Sequence, residues 1–90
     1  MEPIKRNDTG AAVEDVQTRL VQLGHEIDTD ELEQQSFGPS TAAAVEAFRR
    51  DAALDAGRTV DLPCWSALVD ASYKLGDRTL YLRLPNFHGA

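Results

Sequence analysis

The chain has 90 residues, of which 42% are hydrophobic, and a formal net charge of −6, so it has room for one domain with a small core. Its nine lysines and arginines are scattered, without interleaved aromatic residues, which argues against nucleic acid as a partner because such binding needs clustered cations. The apolar runs are short and interrupted by charge, so no membrane-spanning segment is expected.

The first periodic segment predicts a helix from about Ala11 to Leu23. Its apolar residues recur three or four positions apart, which places them on one helical face. Asp8 or Thr9 is expected near the N-cap, and Gly24 just past the end as a left-handed C-cap. Gln17 is interpreted as structural, since an amide at a helix edge can satisfy backbone groups of a neighbouring loop. The predicted buried stripe is Val13, Val16, Leu20 and Leu23.

Pro39 marks the start of a second predicted helix, because a missing N–H costs nothing in the first turn. This helix is expected to continue to about Ala52. The acidic segment before it, which includes Asp28 and Asp30, is expected to be a mobile loop and lacks the glycine and distal glutamate of a calcium loop. The inward-facing residues of the second helix are Ala44, Val45 and Phe48.

Asp61 is expected to cap a third helix that continues toward Ser72 or Tyr73. Its apolar face is Trp65, Leu68 and Val69, and Trp65 is interpreted as a core residue in preference to a sugar-stacking platform. Farther along, leucines alternate with other residues at a period of two, which predicts an extended strap. These are Leu80, Leu82 and Leu84. The predicted fold class is all-α, a small three-helix bundle with an extended C-terminal strap.

Three cassettes of apolar residues and glycine follow one another along the chain. They read Gly10-x-x-Val13-x-x-Val16-Gln17-x-x-Leu20-x-x-Leu23-Gly24, then Phe37-Gly38-Pro39-Ser40-Thr41-x-x-Ala44-Val45-x-x-Phe48, then Val60-x-x-x-x-Trp65-x-x-Leu68. From about Gly10 to Leu68, this order resembles the peptidoglycan-binding domain found beside bacterial cell-wall hydrolases. The resemblance implies a non-catalytic module, without a cofactor, that binds peptidoglycan or muropeptide.

The end of the chain resembles its beginning. Asn86-Phe87-His88-Gly89-Ala90 shares asparagine and Gly-Ala, at matching offsets, with Asn7-Asp8-Thr9-Gly10-Ala11. Residues 71–81 resemble the linker of actinobacterial N-acetylmuramoyl-L-alanine amidase-like proteins, in which two modules precede a zinc-dependent catalytic domain. The resemblance implies a binding module at residues 1–76, a linker and the start of a truncated second module at residues 77–90, and a catalytic domain of the same parent chain as a partner.

The sequence assigns no catalytic or metal-binding residue, so no enzymatic activity is expected of this chain. His25 and His88 are in no metal-ligand spacing and are expected at the surface. Cys64 is the only cysteine. It is expected to be an inert, partly buried side chain, because no histidine is close enough in sequence to activate it.

Two turns are predicted to carry the ligand, in a shallow groove near residues 34–41 and 55–61. Turns of this kind expose backbone donors and acceptors that suit sugars and peptides. Both depart from the family pattern, since Gln34-Gln35 replaces the first Asp-Gly pair, the second is altered to Asp55-Ala56-Gly57-Arg58, and Asp61 replaces the glycine after Val60. In the second predicted helix, Arg49 stands where the family usually has glutamine. The candidate ligand-binding residues are Gln34, Gln35, Phe37, Gly38, Thr41, Gly57, Arg58 and Asp61.

Two functions stay open. In the first, which the intact cassettes and the linker favour, the module targets a cell-wall amidase to its substrate by raising the local concentration. In the second, it is a cytosolic regulatory or protein-interaction module that keeps the fold but binds a wall precursor or a protein. The altered turns and the lack of a visible export signal favour the second. The expected location is the cell wall if a signal has been removed, and the cytoplasm otherwise.

Overall fold

The computed structural model describes the backbone of residues 2–83 and the side chains of residues 2–73. The helices are α1 (Ala11–Gln22), α2 (Thr29–Gln34), α3 (Pro39–Asp51) and α4 (Leu62–Arg83). Over residues 2–83 there is no strand, only two isolated antiparallel bridges. The all-α prediction is therefore confirmed. The predictions for Leu84, His88 and the repeat at residues 86–90 concern positions outside this range.

The bundle contains a helix that the three-helix prediction omits. α2 occupies the segment that was predicted to be a mobile acidic loop. Asp30 and Glu31 lie in its first turn, where negative charge is favourable, and Gln35 ends it in the left-handed conformation with φ 53°. None of its residues is buried, so its sequence has no hydrophobic periodicity to reveal it.

The prediction of an extended strap is wrong for residues 77–83, because α4 continues through Leu80 and Leu82 to Arg83. An isolated strand at this position leaves its backbone groups without partners, whereas a helix pairs them within the segment. α4 also extends past the predicted end at Ser72 or Tyr73.

None of the described helices combines the length and the hydropathy needed to cross a membrane.

The core forms where α1 packs against α3 and α4. The predicted inward positions of α1 and α3 are confirmed, except that Leu23 lies at the margin. Trp65 is a larger correction, since it is half-buried and packs against the outside of the core, while Cys64 and Leu68 take the interior positions. The buried apolar residues are Ile4, Val13, Val16, Leu20, Phe37, Ala42, Ala44, Val45, Phe48, Val60, Cys64 and Leu68.

Helix α1 begins differently from its prediction. Its N-cap is Gly10, with φ 111° and no side-chain capping hydrogen bond, so the two predicted caps lie before the N-cap position. Thr9 is bridged to Ser36, and the Asp8 carboxylate accepts a hydrogen bond from the Lys5 N–H at 2.9 Å. At the other end, Gly24 follows the helix with φ 95°, as predicted for a left-handed C-cap.

Arg49 is a buried cation that holds the turn at residues 55–61. Its side chain is 7% exposed. Its Nε donates to the Asp55 carbonyl oxygen at 2.7 Å, and its Nη1 donates to the Thr59 carbonyl oxygen at 3.0 Å. Nη1 also lies 3.1 Å from Asp61 Oδ1, forming an ion pair. A guanidinium group has enough donors in a fixed plane to bond all three acceptors, so one side chain shapes the whole turn.

We expect Arg49→Met to lower the free energy of unfolding by roughly 2–3 kcal/mol, because two partly buried carbonyl groups and the Asp61 carboxylate lose their charged donor. Urea unfolding followed by circular dichroism measures this change. The control is Arg50→Met, which removes the exposed neighbouring arginine of the same helix and should change stability by less than about 0.5 kcal/mol. Equal losses in the two variants would contradict the bracing role.

Candidate functional site

The two candidate turns are joined by backbone hydrogen bonds to the N-terminal segment. Ile4 and Val60 exchange both backbone hydrogen bonds, at 2.9 and 2.8 Å. Farther along, the Phe37 N–H donates to the Asp8 carbonyl oxygen at 2.9 Å, and the Gly10 N–H donates to the Gln35 carbonyl oxygen at 3.0 Å. Residues 4–10, 34–41 and 55–61 therefore form one continuous surface, called here the turn edge.

Six of the eight candidate residues retain some exposure on the turn edge. Gln34 and Arg58 are exposed, whereas Gln35 is half-buried. Gln35 Nε2 donates to Glu14 Oε2 at 3.0 Å, and Arg58 Nη2 lies 3.3 Å from Glu46 Oε1. Exposed ion pairs of this kind are weak, so Arg58 can exchange its partner for a ligand at little cost. The other half-buried candidates are Gly38, Gly57 and Asp61.

Phe37 and Thr41 are not available to a ligand in this conformation. Phe37 is 1% exposed and belongs to the core, and Thr41 is fully buried. Their predicted place in the site followed from their position in the turn cassette, but the chain turns these two side chains inward. Their buried side chains instead support the turn edge from the core.

Glu31 of α2 lies at the N-terminus of α3, where it takes the place of an N-cap side chain. Its Oε1 accepts hydrogen bonds from the N–H of Gly38 at 3.0 Å and of Thr41 at 2.9 Å, and from the Thr41 hydroxyl at 2.8 Å. Its Oε2 accepts a hydrogen bond from the Ser40 N–H at 3.0 Å. The free N–H groups at a helix N-terminus favour an anion there, and Glu31 supplies it from within the chain.

The glycine of the Phe-Gly cassette is required by this arrangement. A Cβ atom on Gly38 would lie 2.7 Å from the carboxyl carbon of Glu31, which is closer than two non-bonded carbon atoms approach. Any side chain at this position would therefore displace the carboxylate that caps α3.

Gln17 completes the network from α1, and its predicted structural role is confirmed. Its Nε2 donates to the Ser36 carbonyl oxygen and to Thr41 Oγ1, both at 3.0 Å, and lies 3.3 Å from the Glu31 carbonyl oxygen. Its Oε1 is buried, with no hydrogen-bond partner among the described residues. The amide therefore acts as a donor that holds α2 and the start of α3 against α1.

The hydrogen bonds around Glu31 change its acidity. Burial raises the pKa of the carboxyl group, but hydrogen bonds from Ser40 and Thr41 outweigh burial and lower the pKa from 4.5 to about 2. The ionised form is thus strongly favoured, and Glu31 is a fixed structural anion.

At the second turn, Asp61 caps α4 as predicted. Its Oδ1 accepts a hydrogen bond from the Cys64 N–H at 3.0 Å, and this bond, followed by the Arg49 guanidinium, lowers the pKa of Asp61. Burial raises the pKa of the Cys64 thiol, which is opposite to the shift of a reactive cysteine. Asp61 and Cys64 therefore act as structural groups.

Other titratable side chains contribute no reactive cluster over residues 2–73. His25 is half-buried, in contrast to its predicted surface position, with its ring edge-to-face on Phe48 at a centroid distance of 6.4 Å. In this described part of the chain, no group of three or more histidine, cysteine, aspartate or glutamate side chains is placed to hold a metal ion. What the turn edge offers a ligand is hydrogen bonding from amide and guanidinium groups on a rigid frame.

We expect Glu31→Gln to lower the free energy of unfolding by about 1–2 kcal/mol at pH 7, because the α3 N-terminus loses its charged acceptor. Glu33→Gln removes an exposed carboxylate of the same short helix and should change stability by less than about 0.5 kcal/mol. Thermal unfolding of both variants beside the parent measures the difference, and a loss in Glu33→Gln as large as in Glu31→Gln would refute the capping role.

The pH dependence of stability should also report on Glu31. Because its pKa is depressed in the folded state, its contribution is complete above the ordinary value of 4.5 and is lost as the pH falls toward about 2. Glu31→Gln has no such contribution to lose. The stability difference between parent and variant should therefore shrink between about pH 5 and pH 2, and a constant difference across this range would contradict the assignment.

Comparison with known proteins assigns this sequence to a family. The profile of the family described as "Putative peptidoglycan binding domain" matches residues 9–61, from the end of the N-terminal segment through the last residue of the second turn. A search of curated proteins and a search of solved structures found no match. Because the family match covers more than half of the 90 residues, the chain belongs to this family of peptidoglycan-binding domains.

Proposed function

We propose that this chain is a non-catalytic module that binds peptidoglycan at its turn edge, through the stem peptide and the adjoining sugars. The family match over residues 9–61 carries the proposal, because it includes both turns and the two helices, α1 and α3, that hold them. The N-terminal segment, most of which precedes the match, adds exposed side chains to the same surface.

The exposed chemistry of the turn edge suits a peptide that carries carboxylate and amide groups. Arg6 and Arg58 each lie two residues from the hydrogen-bonded pair of Ile4 and Val60, on antiparallel segments, and both are exposed. Gln34 adds an exposed amide. Arginine bonds carboxylates through two parallel N–H groups. The net charge of −6 gives no long-range attraction to an anionic wall, so these contacts act at short range.

The proposal extends to the parent protein. Residues 77–90 then connect the module to a second copy and to an N-acetylmuramoyl-L-alanine amidase domain, and the module raises the local concentration of wall substrate near that domain. The linker likeness of residues 71–81 supports this arrangement, and the corresponding location is the cell wall. In the alternative function, the altered turns serve a wall precursor or a protein partner in the cytosol.

Titration of the ¹⁵N-labelled chain with a soluble muropeptide tests the binding site. We expect amide shifts that saturate at millimolar ligand and that cluster at residues 5–8, 34–38 and 57–61. Responses confined to the last residues of the chain, or none at millimolar ligand, would refute wall binding at the turn edge. Binding to a soluble wall precursor without sedimentation on intact sacculi would instead support the cytosolic alternative.

A matched pair of variants tests the location. Gln34→Glu places a negative charge on the turn edge, and Gln22→Glu places one on α1; both residues are exposed and both are the last residue of a helix. Repulsion of the ligand carboxylates should weaken muropeptide binding by about two- to fivefold in Gln34→Glu and leave it unchanged in Gln22→Glu. Equal effects in the two variants would contradict the proposed surface.

A further inference from the structure

A groove on the outer face of α4 lies outside the turn edge and has no assigned role. It has a volume of about 330 Å³ and is lined by Trp65, Ser66, Val69, Asp70 and Tyr73. Trp65, Val69 and Tyr73 are successive positions four residues apart, so they share one face of the helix. A volume of this size is at the lower end of the range for small-ligand sites.

The Trp65 ring is held in place from α1. The guanidinium carbon of Arg19 lies 5.4 Å from the ring centre, within the range of cation–π attraction. Arg19 is itself fixed, since Nε donates to Asp15 Oδ1 at 2.9 Å and Nη1 donates to Ser72 Oγ at 2.7 Å. A ring immobilised before binding loses little conformational entropy when a ligand packs on it.

Tyr73 provides a second aromatic ring at the other end of the groove, and it is 72% exposed. Eight residues of helix separate the two aromatic positions, which is about 12 Å along the axis and comparable to the length of a disaccharide. Sugar rings present a face of C–H groups that packs on aromatic rings, while their hydroxyl groups bond to polar side chains. Ser66, whose side chain is exposed, supplies such a polar group between the aromatic ends.

We propose that the α4 groove binds the glycan strand of peptidoglycan, with sugar rings packed on Trp65 and Tyr73. The inference rests on the proposed function for its ligand, and it assigns a second surface with a different chemistry. The turn edge, with its arginine and amide groups, takes the stem peptide and the sugars adjoining it. The α4 groove, with its aromatic rings, takes uncharged sugars farther along the strand.

Intrinsic fluorescence tests this assignment directly, because Trp65 is the only tryptophan. The probe is chitotetraose, an oligomer of N-acetylglucosamine without a stem peptide. We expect a saturable change in Trp65 emission at millimolar sugar, and amide shifts at residues 65–73 in the labelled chain. Tyr73→Ala should weaken chitotetraose binding at least fivefold. Leu62→Ala, which truncates a 56% exposed side chain of the same helix outside the groove, should bind as the parent does.

Two results would overturn the inference. One is no change in Trp65 emission or in amide shifts at about 10 mM chitotetraose, a concentration suited to weak ligands. The other is unchanged chitotetraose binding in folded Tyr73→Ala. Circular dichroism confirms folding of both variants. Failure here is distinct from failure of the proposed function. If only the α4 assignment is wrong, muropeptide still shifts the turn edge and Tyr73→Ala still sediments with sacculi. If the proposed function is wrong, the chain without substitutions does not sediment with sacculi.

Discussion

The fold depends on a carboxylate held at the start of a helix. Glu31 accepts hydrogen bonds from three backbone N–H groups and one hydroxyl group at the N-terminus of α3, and it belongs to a helix that has no buried residue of its own. The same contacts therefore anchor α2 and initiate α3. Gln17 reaches the network from α1, so one polar cluster fixes three helices and the first turn.

Arg49 stabilises the second turn by hydrogen bonds, as Glu31 stabilises the first. Each is a charged side chain that bonds backbone groups of a turn, and neither turn is stabilised by apolar contact alone. A domain of this size has only a few kcal/mol of stability, and the side chains of the turns that stay exposed cannot add to it by burying surface. Charge-assisted hydrogen bonds keep the turns rigid while leaving Gln34 and Arg58 accessible.

Hydrophobic periodicity and local chemistry in the sequence predicted several features of the fold correctly. The buried faces of α1 and α3, the proline at the start of α3, the cap at Asp61 and the role of Gln17 all followed from spacing and local chemistry. α2 was missed because its attachment is polar, and α4 was predicted too short because leucines at a period of two are typical of a strand, whereas the backbone of residues 77–83 continues the helix. Local pattern also failed to predict that Phe37 and Thr41 are buried and that Trp65 is only partly buried. The burial of these side chains depends on how neighbouring elements pack, which local spacing does not determine. The N-terminal segment, which joins the two turns by backbone pairing, has no side-chain signature.

The two proposed surfaces reinforce each other because of the chemistry of the wall. In peptidoglycan the stem peptides branch from the glycan strand, so one polymer presents both a peptide to the turn edge and sugars to the α4 groove. α4 begins at Leu62, directly after the second turn, and the Asp61 cap fixes the helix to that turn. Two weak sites on one rigid frame bind a polymer far more tightly than either binds a fragment, since the second contact is intramolecular. On this proposal, a small domain holds a large polymer through two exposed surfaces.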